Sequence, residues 1–433
     1  MNIDRAMNID HVKPIADAVL YEGYILYPYR PTATKNRQRW MFGELFPRDD
    51  PRAGGEAASM RAEILLEANE EAEIDIVARF LQSRQRQIGA LEAPAAELEE
   101  IAHFTPVSTL LVEGRQFVSF DEAIERRIDI SSVTLGELVA ASRRLRFDFP
   151  AAREIEPIRS ENGEIVTVIA RSSASVEGEI EVGATRLEDG LFRLRATIEN
   201  VTPVARAEPS RALAQARAFL STHMIIGARG GRFVSLVEPP DSLRAAAAAC
   251  ENRGLWPALV GERARADMVL ASPIILYDYP QVAPESRNAF FDGAEIDELL
   301  TLRVQTLTDA EKEEMAAADP RTREILQRCD SMTVEEMGAL HGAFRPPPSA
   351  AENGLSVGAR VRIAPNAGGD VMDMALAGKE AVVASIERDF EGRAHVAVTL
   401  VDDPGADLGA AGFPGHRFFF SPQELEPLDG ASP

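Results

Sequence analysis

The sequence is poor in the residues that build disulfide frameworks and metal centres. Its 433 residues include two cysteines and six histidines, and neither set has the spacing of a ligand cluster. Two thiols cannot supply a disulfide framework, which favours a reducing compartment, and scattered histidines predict no metal site. Phosphate-binding and nucleophile motifs such as Gly-x-x-x-x-Gly-Lys-Ser/Thr, Gly-x-Gly-x-x-Gly and Gly-x-Ser-x-Gly are also missing. The sequence therefore predicts no cofactor and no catalytic residue.

Long apolar runs and positive charge are scarce as well. No stretch reaches about 18 apolar residues, the length of a membrane-spanning helix, so we expect no membrane insertion. Charged residues from Asp4 to Asp17 interrupt the N-terminal region, so we expect no secretory signal and a cytoplasmic location. The 46 basic residues face 69 acidic ones, a balance of 46 − 69 = −23. A surface this acidic repels phosphate backbones, which disfavours nucleic-acid binding.

Arginine supplies most of the positive charge, because only four of the basic residues are lysine. Together with the many alanines, this composition is typical of a GC-rich genome. The number of arginines is therefore weak evidence for anion recognition. Their distribution along the chain is more informative.

Residues 1–205 predict a β-rich, sandwich-like domain. Short apolar or alternating runs recur along this part of the chain, separated by turn residues. We expect three hairpins in it, with turns at residues 69–71, 162–163 and 188–190.

Residues 206–345 predict a mixed α+β domain that ends in acidic helices. Gly230-Gly231 indicates a further hairpin turn, and Ile274–Tyr277 reads as a strand. Asp319-Pro320 supplies an N-cap followed by proline at the first helical position. Capping-box spacing marks three more helix starts, at Asp292–Glu295, Thr308–Glu311 and Thr333–Glu336.

The C-terminal part predicts a linker and a small β module. Three consecutive prolines make residues 346–353 an extended linker. Residues 354–433 contain short strands and glycine turns that are similar to an SH3-like barrel, a fold whose members bind RNA or protein. Six basic residues against 12 acidic ones, 6 − 12 = −6, favour a protein partner.

Aromatic residues mark the clearest candidate surface. All six tyrosines fall within residues 21–29 and 277–279, and residues 30–40 then carry four basic residues and no acid. Tyrosine, tryptophan and arginine are common at recognition surfaces. The candidate partner-binding residues are Tyr27, Tyr29, Arg30, Lys35, Arg37, Arg39, Trp40, Tyr277 and Tyr279.

Two interpretations of this tyrosine-rich segment are open. The tyrosines can form a core strand with their hydroxyls hydrogen-bonded, the arginines then lying in a solvated loop. The segment can instead be a binding surface for an acidic group, a peptide or a protein partner.

Three stretches resemble a bacterial protein family whose genes occur beside those of uptake [NiFe] hydrogenases and their accessory proteins. They are Val19–Pro31 with Lys35–Trp40, Ser272–Pro280 with Phe291–Asp297, and Asp402–Leu408 with Gly415–Phe420. Together they span almost the whole chain. The resemblance implies a cytoplasmic accessory or assembly protein of a hydrogenase system, and it carries no catalytic residue onto this chain.

Residues and resemblance together predict a multidomain α+β protein that binds a partner and has no catalytic role of its own. The partner would be a protein, such as a hydrogenase subunit or maturation protein. The alternative is an enzyme or small-ligand-binding protein with a Tyr/Arg-lined site between the first two domains. In that case Tyr29 and Tyr279 should meet around a pocket that holds Arg30 or Arg37.

Overall fold

The structure, a computed structural model, falls into two compact units, Met1–His341 and Gly342–Pro433. Strand accounts for 48% of it and helix for 20%, so the predicted α+β class takes the form of a mostly β protein. The residues that the structure describes are 9–37, 41–50, 57–101, 103–204, 211–282, 290–293, 295–340, 357–364, 376–388, 394–402 and 417–428.

Antiparallel strands dominate the first unit, and most of its longer helices come late in the chain. The strands are β1 (Ser59–Ala95), β2 (Thr105–Val107), β3 (Thr109–Val112), β4 (Arg115–Val118), β5 (Phe120–Thr134), β6 (Arg143–Phe149), β7 (Ala152–Arg159), β8 (Ile165–Ser173), β9 (Val176–Glu188), β10 (Leu191–Asn200), β11 (Leu220–Phe233), β12 (Trp256–Val260) and β13 (Met268–Ser272). The helices are α1 (Lys13–Tyr21), α2 (Thr34–Arg37), α3 (Leu135–Ala140), α4 (Arg211–Gln215), α5 (Arg244–Ala248), α6 (Asp297–Gln305), α7 (Asp309–Ala318), α8 (Pro320–Ser331) and α9 (Val334–Ala339).

The long strand β1 organises an 11-stranded sheet. No neighbour is long enough to follow its 37 residues, so its partners change along its length. It pairs first with β10, then with β11 and β5, and finally with β8 and β2. The sheet extends through β9 and β6 on one side and through β13 and β12 on the other, while β3 and β4 form a separate pair.

Two predicted hairpins are wrong, and both errors have the same cause. The chain does not reverse at residues 69–71 or at Gly230-Gly231, because both stretches lie inside continuous strands, β1 and β11. Pairing between these strands jumps from Ala68 opposite Gly231 to Glu73 opposite Arg229. The polar and glycine signals therefore mark a bulge in one ladder, where glycine at φ +84° accommodates the irregular backbone.

The other two predicted hairpins are confirmed. β7 and β8 pair across the turn that contains Gly163, whose φ is +86°. β9 and β10 pair across the turn at Gly190, whose φ is +76°. In both cases a glycine at the turn is followed at once by an apolar strand, which is the pattern that predicted them.

The boundary predicted near residue 205 falls inside the first unit. β11, which follows that position in the chain, pairs with β1 in the same sheet as β10, and β13 pairs with β11. β12 then pairs with β13. Residues 274–277, predicted as a strand, have no strand pairing.

The late helices pack in a second core beside the sheet. Leu300, Met315 and Ile325 from α6, α7 and α8 are buried with Leu81 and Phe120 from the sheet. Thr308, Asp319 and Thr333 cap α7, α8 and α9 with complete capping boxes, as predicted. The Asp292–Glu295 signal does not begin a helix, because α6 begins at Asp297. No helix in the described ranges is long and apolar enough to cross a membrane.

The described strands of the second unit are β14 (Arg360–Ile363), β15 (Glu380–Arg388), β16 (Ala394–Leu400), β17 (Arg417–Phe420) and β18 (Leu425–Pro427). They form a five-stranded antiparallel sheet in the order β17-β16-β15-β14-β18. Its core includes Val361, Val383, Val398 and Phe420. Within the described part of this unit the sheet is open, with β17 and β18 as its edges. The predicted linker, residues 346–353, lies outside the described residues.

Candidate functional site

Tyr29 was predicted on a partner-binding surface, and the structure places it in the core instead. Its side chain is fully buried, and its hydroxyl donates a hydrogen bond of 3.0 Å to the carbonyl oxygen of Phe290. Tyr24, also fully buried, donates to the carboxylate of Asp319 over 2.9 Å. Burial raises the pKa of Tyr29 well above its usual value, so the hydroxyl stays protonated. These two tyrosines hold the segment against the late helices.

Arg30, the first basic residue of the tyrosine-rich segment, lies against helix α7. Arg30 forms ion pairs of 3.1 Å with Glu311 and 3.7 Å with Glu314. The backbone N–H of Thr32 donates to Glu314 over 3.3 Å. Acid from α7 therefore neutralises the positive charge of Arg30 within the protein.

Tyr27 and the rest of the basic stretch are less enclosed. The ring of Tyr27 is half-buried, and the cationic groups of Lys35 and Arg303 each lie 5.7 Å from its centroid. α2 ends at Arg37, whose side chain, like residues Arg39 and Trp40, lies outside the described residues.

The second tyrosine pair does not join the first. Tyr279 packs on the main sheet core, with the guanidinium of Arg263 at 4.7 Å from its ring, while Tyr29 belongs to the helical core. Tyr277 is 63% exposed. The two clusters therefore do not line one pocket, which weakens the alternative of a site built from Tyr29 and Tyr279.

The structure brings a different set of residues together in a cavity of about 580 Å³. It lies between the strands β1, β4, β5, β7 and β8 and the joint of α7 with α8. We call it the arginine cleft, because six arginines and four carboxylates line it in a chain of net charge −23. Its charged lining residues are Arg84, Arg86, Arg115, Arg171, Arg321, Arg323, Glu122, Glu154, Glu156 and Asp319.

Strand register places half of these arginines together. Arg84 on β1 lies directly opposite Glu122 on β5. Arg86, two residues further along the same face of β1, lies opposite Arg171 on β8, which in turn lies opposite Glu154 on β7. Side chains directly opposite each other in antiparallel strands are about 5 Å apart at Cβ, so this register alone creates a dense charge cluster.

Glu122 is the centre of that cluster. It is almost fully buried and accepts hydrogen bonds from Arg84 at 2.6 and 2.9 Å and from Arg171 at 3.2 Å. Nε of Arg86 lies 3.7 Å from it. Burial lowers the pKa of Arg86, although Glu122 opposes the shift. Burial acts the same way on Arg171, but hydrogen bonding to Glu156 and the charge of Glu122 outweigh it and raise its pKa.

Arg86 also fixes the helical wall of the cleft. Its Nη1 donates hydrogen bonds of 3.1 and 2.7 Å to the carbonyl oxygens of Ala317 and Ala318 at the end of α7. Asp319 then caps α8 by accepting from the backbone N–H of Arg321 at 2.7 Å. The carbonyl groups at the end of a helix have no partner within it, so a buried guanidinium is well suited to that position.

The remaining three arginines of the cleft have no carboxylate within 4 Å among the described residues. Arg115 stacks on Phe117 at 5.3 Å. Arg321 stacks on Tyr21 at 4.4 Å and donates to its hydroxyl over 2.7 Å. Arg323 donates to the carbonyl oxygen of Ala316 over 3.1 Å. Ring faces and carbonyl groups thus position these side chains without neutralising them.

Three larger apolar side chains also line the cleft, and we call them its floor. Phe117 and Ile169 are almost fully buried in a small core that also includes the half-buried Ile158, and all three line the cavity. The lining is mostly charged, with ten charged residues of seventeen. The volume of the cleft is within the range of small-molecule sites.

Sequence reasoning did not find the arginine cleft. Its arginines come from four elements of the chain: β1 supplies Arg84 and Arg86, α8 supplies Arg321 and Arg323, and β4 and β8 supply one each. These elements meet through strand register and through the position of α8. The sequence alone does not show which arginines lack an acidic neighbour in the folded protein.

Other titratable groups do not form a reactive centre in the part of the chain that is described. His223 is fully buried in β11, and burial lowers its pKa to about 4. Burial also raises the pKa values of Cys250 and Cys329 to about 11, so both thiols are protonated near neutral pH. The described residues contain no group of three His, Cys, Asp or Glu side chains arranged to hold a metal ion.

The structure thus shows a β-rich protein with an arginine-lined cleft between its sheet and its late helices. A scan of models of known protein families and a search of curated proteins found no match to the chain.

Proposed function

We propose that this protein is a non-catalytic partner-binding protein that receives an acidic group of another protein in the arginine cleft. The observation that carries the proposal is the set of three guanidinium groups, on Arg115, Arg321 and Arg323, that face a cavity without a carboxylate partner in the described residues. Arginine binds carboxylates through two parallel hydrogen bonds and is enriched where binding energy is concentrated.

The charge of the whole chain makes this site selective. A net charge of −23 repels acidic partners in general. An acidic segment of a partner is therefore attracted only to a region where the local charge is positive. The arginine cleft is such a region, so it orients a partner as well as holding it.

The resemblance to proteins encoded beside uptake [NiFe] hydrogenases suggests which partner to test. On this proposal the protein acts in the cytoplasm as an accessory or assembly factor, and its partner is a hydrogenase subunit or maturation protein. The second unit, with its five short antiparallel strands, would then be an SH3-like module that contributes a further protein contact. Fold likeness alone does not assign that contact.

The alternative function is that of an enzyme or small-ligand-binding protein. The arginine cleft supports it better than the two tyrosine clusters do. The supporting observation is the cleft's volume of about 580 Å³, which is in the range of small-molecule sites. Binding of small polycarboxylates is the readout that separates the two functions.

Affinity purification from the native host tests the proposal directly. The tagged full-length protein and its Arg115→Gln/Arg323→Gln variant are purified under hydrogenase-expressing conditions, and bound proteins are identified by mass spectrometry. We expect a hydrogenase subunit or maturation protein with the wild-type chain and its loss with the double variant. Arg328→Gln is the matched control, because Arg328 is exposed on α8 and pairs with Glu324 outside the cleft. Recovery of no hydrogenase-related protein would count against the hydrogenase assignment.

A further inference from the structure

We infer that the arginine cleft recognises a short peptide segment in which carboxylates flank an apolar side chain. The inference rests on the proposed function and specifies the chemistry of the partner. It follows from the combination of positioned guanidinium groups at the rim with an apolar floor.

The rim arginines are held with their donors available. The guanidinium carbon atoms of Arg115 and Arg321 lie over aromatic rings, 5.3 and 4.4 Å from the ring centroids. A contact through the face of a guanidinium leaves N–H groups at its edge for a carboxylate. Among the described residues, Arg323 donates one hydrogen bond, to the main-chain carbonyl oxygen of Ala316. Preordered side chains lose less conformational entropy on binding, so these three are efficient anion ligands.

The inner arginines are not available to the same extent. The carboxylate of Glu122 already lies among Arg84, Arg86 and Arg171, with nitrogen–oxygen distances of 2.6 to 3.7 Å. A ligand carboxylate that reached the inner cluster would lie beside the buried charge of Glu122. The anionic groups of the ligand therefore bind at the rim.

The centre of the ligand faces apolar side chains. Phe117, Ile158 and Ile169 form the floor, and an apolar side chain of the ligand gains free energy by burying its surface against them. A fully hydrated anion such as phosphate or citrate cannot use that surface. A peptide with an aliphatic residue between acidic residues satisfies the rim and the floor together.

Fluorescence anisotropy with two labelled pentapeptides of equal charge tests this inference. The peptides are Glu-Asp-Leu-Asp-Glu and Glu-Asp-Ser-Asp-Glu, with free citrate as a competitor and the full-length chain as the protein. We expect the leucine peptide to bind at least about tenfold more tightly than the serine peptide, since a single buried aliphatic side chain gives about that factor. We expect Arg115→Gln and Arg323→Gln each to weaken both peptides about tenfold, and Arg328→Gln to have no effect.

Ile158→Thr is the variant that isolates the apolar floor. Ile158 is half-buried on β7, whose one strand partner among the described residues is β8, so the substitution is compatible with folding. We expect it to reduce the preference for leucine while it leaves binding of the serine peptide unchanged. Circular dichroism and a urea unfolding curve confirm that each variant is folded.

Several outcomes would overturn the inference. Equal binding of the two peptides, or displacement of both by citrate at a similar concentration, identifies a site for small anions instead. If neither peptide binds but partner capture still depends on Arg323, the inference fails and the proposed function stands. If partner capture is also independent of the rim arginines, both fail.

Discussion

Arginines accumulate in two regions of the first unit, and the two regions differ in what neutralises them. In the tyrosine-rich segment, Arg30 lies against Glu311 and Glu314 of α7. In the arginine cleft, Glu122 neutralises an inner group, while Arg115, Arg321 and Arg323 have no carboxylate within 4 Å in the described ranges. Arg30, in the basic stretch that is visible in the sequence, is thus paired inside the protein, whereas arginines that are dispersed in the sequence line a cavity.

This difference shows that local charge density does not by itself identify a recognition surface. A run of basic residues in an acidic protein has many acidic side chains within reach, and here α7 supplies them. Positive charge remains available only where packing separates it from acid. In the cleft that separation comes from aromatic rings and helix carbonyls, which hold the arginines and carry no full negative charge.

The largest effect should come from removing the acid at the centre of the inner group. Glu122→Ala leaves Arg84 and Arg86 without a carboxylate among the described residues and leaves Arg171 with Glu156 alone. Loss of one partner of a buried ion pair costs about 3–5 kcal/mol. We expect the free energy of unfolding in urea to fall by about 3 kcal/mol or more. Glu154→Gln is the control, because Glu154 lines the same cavity but is exposed, and its change should stay below about 0.5 kcal/mol. A loss below about 1 kcal/mol for Glu122→Ala would show that the inner arginines do not depend on it.

His223 provides a contrast, as a buried base without a carboxylate hydrogen-bonded to its ring in the described residues. Burial lowers its pKa from 6.5 to about 4, so it is neutral in the folded protein over that interval and protonated in the unfolded chain. Stability is therefore complete above about pH 6.5 and falls as the pH drops to 4, by about 3 kcal/mol from this group. We expect His223→Gln to remove this part of the acid-induced loss in urea unfolding measured from pH 4 to 7. Parallel curves for the wild type and the variant would contradict the assignment.

Arg30→Gln tests the neutralised region. Its ion pairs are partly exposed, so we expect a loss of about 1 kcal/mol in unfolding free energy and no change in partner capture. Arg328→Gln, which breaks an exposed pair on α8, should change stability by less than about 0.5 kcal/mol. If Arg30→Gln abolished partner capture without loss of stability, the tyrosine-rich segment would be the binding surface after all.

The smallest effect on stability should come from the rim of the cleft. Arg115 and Arg323 are exposed, so Arg115→Gln and Arg323→Gln should change the unfolding free energy by less than about 0.5 kcal/mol while they reduce peptide binding. Peptide affinity for the wild type should also fall as salt is raised, since exposed charges are screened. Affinity that does not depend on salt would exclude the rim arginines as the main contacts.

The fold was predictable from the sequence to the extent that its signals were local. Turn glycines identified the β7–β8 and β9–β10 hairpins. Capping-box spacing identified the starts of α7 and α9, and the Asp319-Pro320 N-cap identified the start of α8. The failures at residues 69–71 and at Gly230-Gly231 have a physical reason. A bulge and a chain reversal need the same residues, polar or glycine, so only the pairing partner distinguishes them.

The candidate site was less predictable, because its parts are remote in sequence. A tyrosine in the sequence predicts equally well a hydroxyl that binds a partner and one that is hydrogen-bonded in the core. The hydroxyl of Tyr29 is of the second kind, since it donates to the carbonyl oxygen of Phe290. The proximity of Arg86, Arg171 and Glu122 depends on the register of β1 with β5 and with β8, and no short stretch of sequence contains all three strands.

The length of β1 has a consequence for how this protein is made. Its ladders are completed by strands that come later in the chain, the last of them β11, which ends at Phe233. While the ribosome is still adding those residues, β1 has unpaired N–H and C=O groups and an apolar surface without cover. Such edges are prone to pair with other chains, and sheets built from distant segments form slowly. We therefore expect truncation before Phe233 to yield aggregates, and recombinant yield to rise when synthesis is slowed at low temperature.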